Sequence, residues 1–365
     1  MWYVGLDVHF RQSTFCVLDE HGRKVRTETI KGPWANLLLA LAKIKEPWVV
    51  CFEASTGYGV LWRRLKPMAQ RVVVAHPGHL RLIFRSKRKN DRIDAERLAK
   101  VLYLDAVPAV HVPGEAVLAW RGLIAHRNHL VKERTGLKNG LRALLRGQGI
   151  VAPRSLWSRK GIAWLRALEL PTLLDGLRRD QLLERVLTVH LQIRRVETEL
   201  NRIGQEHAGV TLLRTIPGVG MRTAEAIVAY VDDVRRFANV RQVGSYFGLV
   251  PSQDASASVN RLGHITKQGP SLVRRLLTEA AWQGIRRSPR MRTYFERIGQ
   301  GNRDRRKIAL VATAHYLVRV MVAMLRNGEC WRPEKAEPTE AGATESTALA
   351  ATTPTPGGLS AGAVG

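Results

Sequence analysis

The sequence predicts a mixed α/β domain over residues 1–110, a helical coiled-coil region over 111–209, a mainly α domain over 210–330 and a disordered tail over 331–365. Three observations carry this reading. Short apolar runs alternate with helix-prone stretches up to about Val110. Apolar residues then recur at alternating steps of four and three, the spacing of paired helices. After Trp331, Ala, Thr, Gly, Pro and Glu dominate without any apolar period, so the tail has no face to bury.

The first strand is the run Trp2-Tyr3-Val4-Gly5-Leu6, which stops at Asp7. Ser13 to Leu18 follows closely, and the His21-Gly22 turn leads to a third strand from Lys24 to Ile30, giving an antiparallel meander. Trp34 to Ile44 is apolar and helix-prone. Trp48 to Phe52 reads as a buried strand ending at Glu53, and Arg71 to Ala75 as another, ending before His76-Pro77. A further helix opens in Asn90-Asp91-Arg92-Ile93-Asp94-Ala95 and runs on through Leu98 and Val101.

From Gly114 to Gly209 the pattern is helical, with breaks at Gly147, Gly149 and Pro153. Leu182, Val186, Val189, Ile193, Val196, Leu200 and Ile203 form a heptad seam, and Leu123, Leu130, Leu137 and Leu144 recur every seventh residue on an earlier helix. A seam sets packing geometry, and it leaves open whether the partner is the same chain or a second copy. In the third region, Ile216-Pro217-Gly218-Val219-Gly220 before Thr223 to Val228 resembles a helix-hairpin-helix. Gly218 and Gly220 would there let backbone N–H groups approach a phosphate, a plain helix-helix turn being the alternative. Pro251 to Gly269 reads as a long polar loop, with Arg261, Lys267, Arg274 and Arg275 in or beside it.

Charge narrows the partner. There are 58 Lys and Arg against 31 Asp and Glu, a formal net charge of +27, which calls for a polyanion, nucleic acid first. Arg81, Arg85, Lys87, Arg88 and Lys89 form one basic cluster and Arg303 to Lys307 another. No long uninterrupted apolar run and no signal-peptide pattern stands against this, so a membrane is not expected. Cys16, Cys51 and Cys330 lie far apart and outside zinc-ligand spacing, and His76, His79 and His315 also lack ligand spacing. Trp2, Trp48 and Trp282 sit in apolar patterns and are assigned to packing.

Asp7 and Glu53 are each the first acid after a buried strand, and Asp91 and Asp94 share a helix face. Singly, each has an ordinary reading as a helix cap or surface residue. Together, four acids in a basic domain repel one another unless a cation or positive neighbours neutralise them, and carboxylates at rigid strand ends suit a hard divalent ion. The chemistry that follows is two-metal phosphodiester cleavage with Mg²⁺ or Mn²⁺.

The blocks Val4-Gly5-Leu6-Asp7-Val8, Phe52-Glu53-Ala54-Ser55-Thr56-Gly57 and Asn90 to Ala95 resemble the DEDD signature of the IS110 family of insertion-sequence transposases, related to the Piv and MooV DNA invertases. The resemblance runs to about Gly328. It implies a RuvC-like (ribonuclease-H-like) N-terminal domain and a metal-binding tetrad of Asp7, Glu53, Asp91 and Asp94. It also implies a serine nucleophile in the downstream loop, which aligns on Ser256. Here Ala255 and Ala257 replace the family's first serine and its glycine, so Ser258 also stays open.

The implied function is a DNA recombinase that cuts and rejoins donor and target duplexes through a phosphoserine intermediate, guided by a noncoding RNA. It implies a cytoplasmic, nucleoid-associated prokaryotic protein, and recombination of two duplexes points to a dimer or tetramer. The absence of a P-loop motif agrees with rejoining that needs no ATP. Three other readings remain: a metal-only nuclease, a protein-guided DNA invertase, and a silent nucleic-acid-binding protein.

Overall fold

The computed structural model describes residues 1–83, 90–256 and 259–332, and their side chains outside 255–260. Arg85, Lys87, Arg88, Lys89, Ser258 and the tail from Pro333 lie outside the described residues. The N-terminal strands β1 (Trp2–Val8), β2 (Gln12–Leu18) and β3 (Lys24–Lys31) form the antiparallel meander that the turn residues foretold. Helix α1 (Trp34–Leu41) leads to β4 (Trp48–Glu53), and α2 (Tyr58–Leu65) to β5 (Arg71–Ala75). β4 runs parallel to β1 and β5 parallel to β4, giving a five-stranded sheet of order β3-β2-β1-β4-β5. Helices α3 (Pro77–Ile83) and α4 (Asp91–Tyr103) complete the mixed α/β region.

Period-two alternation sorts the side chains of this sheet onto two faces. Val4, Leu6, Phe15, Val17, Val50 and Phe52 pack against Leu37 and Leu41 of α1 and Leu61 and Leu65 of α2. The opposite face carries Cys16, Leu18, Val49 and Cys51, covered by Ala95, Leu98, Ala99 and Leu102 of α4. Both cysteines are buried free thiols, and burial pushes Cys51 up to about 12, as inert packing residues require.

Three helices follow: α5 (Glu115–Gly147), α6 (Arg159–Ala167) and α7 (Leu173–Glu206). Leu130, Leu137 and Leu141 of α5 bury against Val186, Val189 and Ile193 of α7, so within this chain each long helix covers the other's apolar stripe.

Beyond them come α8 (Ala208–Leu213), α9 (Met221–Val231), a short 3₁₀ turn at Val234–Arg236, α10 (Gln242–Tyr246), β6 (Pro251–Ser256), β7 (Val259–Ile265), α11 (Ser271–Arg287), α12 (Pro289–Gly299) and α13 (Arg306–Asn327). α13 is long and apolar enough to cross a membrane by length and composition. It buries Ala314, Leu317, Val318, Met321 and Val322 in the core with α9 and α11, the behaviour of a core helix.

Two sequence expectations are corrected here. Pro251 to Gly269 is largely an antiparallel hairpin of β6 and β7 rather than a loop, with Asp254 opposite Arg261 and Ser256 opposite Val259. Backbone ladder bonds need no apolar alternation, so an exposed hairpin of small polar residues leaves little trace in sequence. Trp48 is buried and Trp2 packs at the edge of the core, but Trp282 is half-buried at the surface, with the Arg286 and Arg306 guanidinium groups 5.4 and 4.9 Å from its ring centre.

Candidate metal centre

The parallel pairing of β1 with β4 sets Leu6 opposite Phe52. One residue further along each strand, Asp7 and Glu53 therefore stand side by side on the α4 face of the sheet. The helix reaches that face because of Gly5: a Cβ there would lie 2.1 Å from the Ala95 carbonyl oxygen and 2.3 Å from the Ala99 nitrogen. Only glycine admits backbone that close. The contact pins the first turn of α4, which carries Asp91 and Asp94, beside Asp7.

Asn90, not Asp91, caps α4: its side chain accepts the Arg92 N–H at 3.0 Å. The Asp91 carboxylate is thereby left for other work, and it accepts a hydrogen bond from Gln12 Nε2 at 3.2 Å. Asp94 pairs with Arg97 at 3.2 Å. His9 Nε2 lies 3.5 Å from Asp7 Oδ1, and Asp7, His9 and Asp91 each offer one ligand atom, all within 4.8 Å of one another.

The Asp7 carboxyl is pushed above its ordinary value. Burial is the largest cause, His9 opposes it, and the charges of Asp91, Asp94 and Glu53 add to it. Asp7 and Asp91 thus meet with His9 at one candidate centre, and the charges of Glu53 and Asp94 also reach Asp7. Two carboxylates with an imidazole at this spacing fit a divalent cation, whose charge would favour the ionised form of Asp7 against both burial and its acidic neighbours. His9 was missed in sequence, although alternation along β1 would put it on the same face as Asp7 two residues away. Beside the centre, Gln12, Thr29, Lys31, Asn90, Asp91 and Arg92 line an open cleft of 620 Å³.

The C-terminal candidates occupy other ground. Ser256 ends β6, at the tip of the hairpin. Among the described residues, the hairpin strands pack chiefly on each other, with no extensive packing against β1, β4 or α4. Arg261 and Lys267 are exposed. Arg274 donates to the carbonyls of Phe247, Gln268 and Gly269, tying down the hairpin base, while Arg275 reaches Glu279 at 2.8 Å and Asn128 at 2.6 Å. Gly218, at φ +90, faces the α11 backbone, where a Cβ would lie 2.6 Å from the Gly284 nitrogen. Gly220 precedes α9 with open space beside it.

Comparison with known proteins converges from both ends of the chain. Residues 4–149 match the DEDD transposase profile of IS110, and residues 210–296 match the transposase profile of the IS116/IS110/IS902 family. The transposase for insertion sequence element IS1111A of Coxiella burnetii is 28% identical, over 90% of this chain and 91% of its own. That for IS1328 of Yersinia enterocolitica is 29% identical, over 89% and 97% respectively. A probable family 20 transposase of Pseudomonas aeruginosa is 28% identical, over 79% and 86%.

Proposed function

The chain belongs to the IS110 family of transposases, and from that premise we propose that it cuts and rejoins DNA at a composite site, with Asp7, Glu53, Asp91 and Asp94 holding divalent metal and Ser256 supplying the nucleophile. The observation that supports the metal half is the meeting of Asp7, His9 and Asp91 within 4.8 Å, with Glu53 at the end of β4 and Asp94 in the first turn of α4 adding negative charge. The strand order, a three-stranded meander continued beyond β1 by two parallel strands, supports the RuvC-like assignment.

In this reading the four carboxylates hold Mg²⁺ or Mn²⁺, with the His9 imidazole joining Asp7 and Asp91 as a further donor. Bound there, the ion would polarise the phosphate and stabilise the departing sugar oxygen. Ser256 oxygen forms the new bond to phosphorus while the bond to the sugar oxygen breaks, the serine proton leaving to solvent or a basic neighbour. The phosphoserine link keeps the phosphodiester energy, and reversal of the same exchange onto a new sugar hydroxyl rejoins the strand. Arg261, Lys267, Arg275 and Lys89 are assigned to phosphate contacts, and Arg274 to positioning the hairpin. Open space at Gly220 supports a backbone approach to phosphate there, while Gly218 serves the packing of that turn on α11. The domain limits 1–110, 111–209 and 210–330 are retained as the working division.

A homo-oligomer, guided by a noncoding RNA, completes the proposal. Leu173, Leu174 and Leu177 at the start of α7 are 94%, 77% and 56% exposed, an apolar tip suited to a second copy. A charge of +27 suits two nucleic acids. The gathering of Asp7, His9 and Asp91 without a contribution from the hairpin also favours a second reading, a metal-only nuclease. Suicide DNA substrates with Mg²⁺ separate the two. Ser256→Ala is expected to abolish the covalent protein-DNA adduct, whereas an unchanged adduct removes Ser256 from the role, and cleavage that persists without adduct establishes the nuclease. RNA sequencing of material copurifying with the protein tests guidance.

A further inference from the structure

Next to the carboxylates stands a feature that metal binding does not use. Phe10 is 64% exposed although it follows the buried strand β1 and lies three residues from Asp7. Its ring stacks on Trp34, at 5.1 Å between centres and 12° between planes. Trp34 is itself held in place: its indole N–H donates to the His9 carbonyl at 3.2 Å. Beneath it lies Gly57, at φ +82, where a Cβ would approach the indole to 2.8 Å. The two loops leaving Asp7 and Glu53 therefore both support one flat aromatic stack, with Phe10 outermost. Arg11 and Lys31 beside it are exposed, and among the described residues neither forms an ion pair.

We propose that Phe10, backed by Trp34, is a stacking platform for an unpaired nucleobase flanking the phosphate to be cut. The argument is geometric. Three residues of extended chain span at most about 11 Å, so a base on Phe10 lies within about three nucleotides of Asp7 at the duplex spacing of about 3.4 Å per strand. A ring face left to solvent beside unpaired cations matches a nucleotide, which brings a π-face and a phosphate together. A residue meant for packing would turn its ring inward. The strand would enter the metal centre locally unpaired, the base next to the cut being held out of its helix by the stack. This inference rests on strand cleavage at the carboxylates, and its test reads binding alone.

The probes are a single-stranded DNA carrying 5-iododeoxyuridine, its duplex form, and an RNA of the same sequence carrying 5-iodouridine, irradiated with the full chain in EDTA. The single-stranded DNA is expected to cross-link to the peptide containing Phe10, and the duplex is not. Phe10→Ala is expected to remove that cross-link and to weaken single-strand binding roughly 5- to 150-fold, the range for loss of one stacked base. Phe10→Trp restores both. Because Phe10 is exposed, circular dichroism of Phe10→Ala is expected to match that of the parent. Equal cross-linking of duplex, cross-linking from RNA alone, a cross-link mapped away from Phe10, or undiminished binding by Phe10→Ala each overturns the proposal. Asp7→Asn is expected to leave the cross-link in place and, in a separate assay with Mg²⁺, to abolish cleavage, so failure of the platform and failure of the cleavage reading are told apart.

Discussion

The carboxylate end of the five-stranded sheet and the β6–β7 hairpin carry the two halves of the proposed chemistry on opposite kinds of support. At the sheet, Asp7 and Glu53 leave neighbouring buried strands, and α4 is pressed against Gly5 so closely that no side chain fits between. At the hairpin, Ser256 sits at the end of two strands whose main packing partner is each other. The difference follows from what each half must do. A metal centre needs donors held within tenths of an ångström, which a close-packed core provides. A nucleophile that forms a covalent link to one strand and then passes it on does not need its support packed into a core.

The sharpest way to break that comparison is to add one methyl group to each side. Gly5→Ala forces α4 away from β1 and is expected to cost about 1–3 kcal/mol in urea unfolding, with a parallel loss of Mn²⁺ affinity by calorimetry. Gly263→Ala, whose added carbon meets chiefly Ser252 Oγ, is expected to stay within about 0.5 kcal/mol of the parent. Equal costs would mean that the hairpin is as tightly held as the sheet.

Next in size is His9. If its imidazole belongs to the metal centre, His9→Ala weakens Mn²⁺ binding roughly 10-fold and Mg²⁺ binding less, since a nitrogen donor favours the former. Titration calorimetry of both ions decides it, and an equal or absent loss assigns His9 to the Asp7 ion pair alone.

A third test addresses α9, which packs against α5, α7, α8 and α11. Buried Glu225 on α9 faces Arg222, and burial pushes its carboxyl up to about 7 despite the opposing charges of Arg222 and Arg127, Glu197 reinforcing the rise. A carboxyl raised on folding binds its proton more tightly in the native state. Its contribution is therefore fully present below its ordinary 4.5 and is lost as pH rises through about 7. Thermal melts across that window are expected to fall with pH, and Glu225→Gln to flatten the fall. The smallest effect belongs to Arg261, exposed on β7: Arg261→Ala is expected to weaken DNA binding evenly across sequences and to reduce the salt slope by about 1.

How much was legible in sequence differs between the same two regions. Every strand of the sheet was read to within two residues at either end, because burial enforces alternation and apolar runs. Asp7, Glu53, Asp91 and Asp94 were legible for the same reason, as acids placed where buried elements end or begin. α2 was not foreseen, since Gly57, Gly59 and paired arginines dilute its pattern. Phe10 was missed because the turn after β1 carries no periodic signal, and His9 because it stands past the apolar run, although two-residue alternation from Asp7 points to it.

Local chemistry written along the chain thus determined the elements of the sheet, the candidate acids, the strongly basic charge and the apolar stripes of the two long helices. Tertiary structure alone decided which of these meet. Acids up to 87 positions apart reach one face because β4 pairs parallel to β1 and Gly5 admits α4, both long-range contacts that no local pattern records. It also decided that Pro251 to Ile265 pairs as a hairpin and that Phe10 faces outward on Trp34. Exposed backbone pairing and side-chain stacking depend on what lies across from a residue, and sequence lists only what lies beside it.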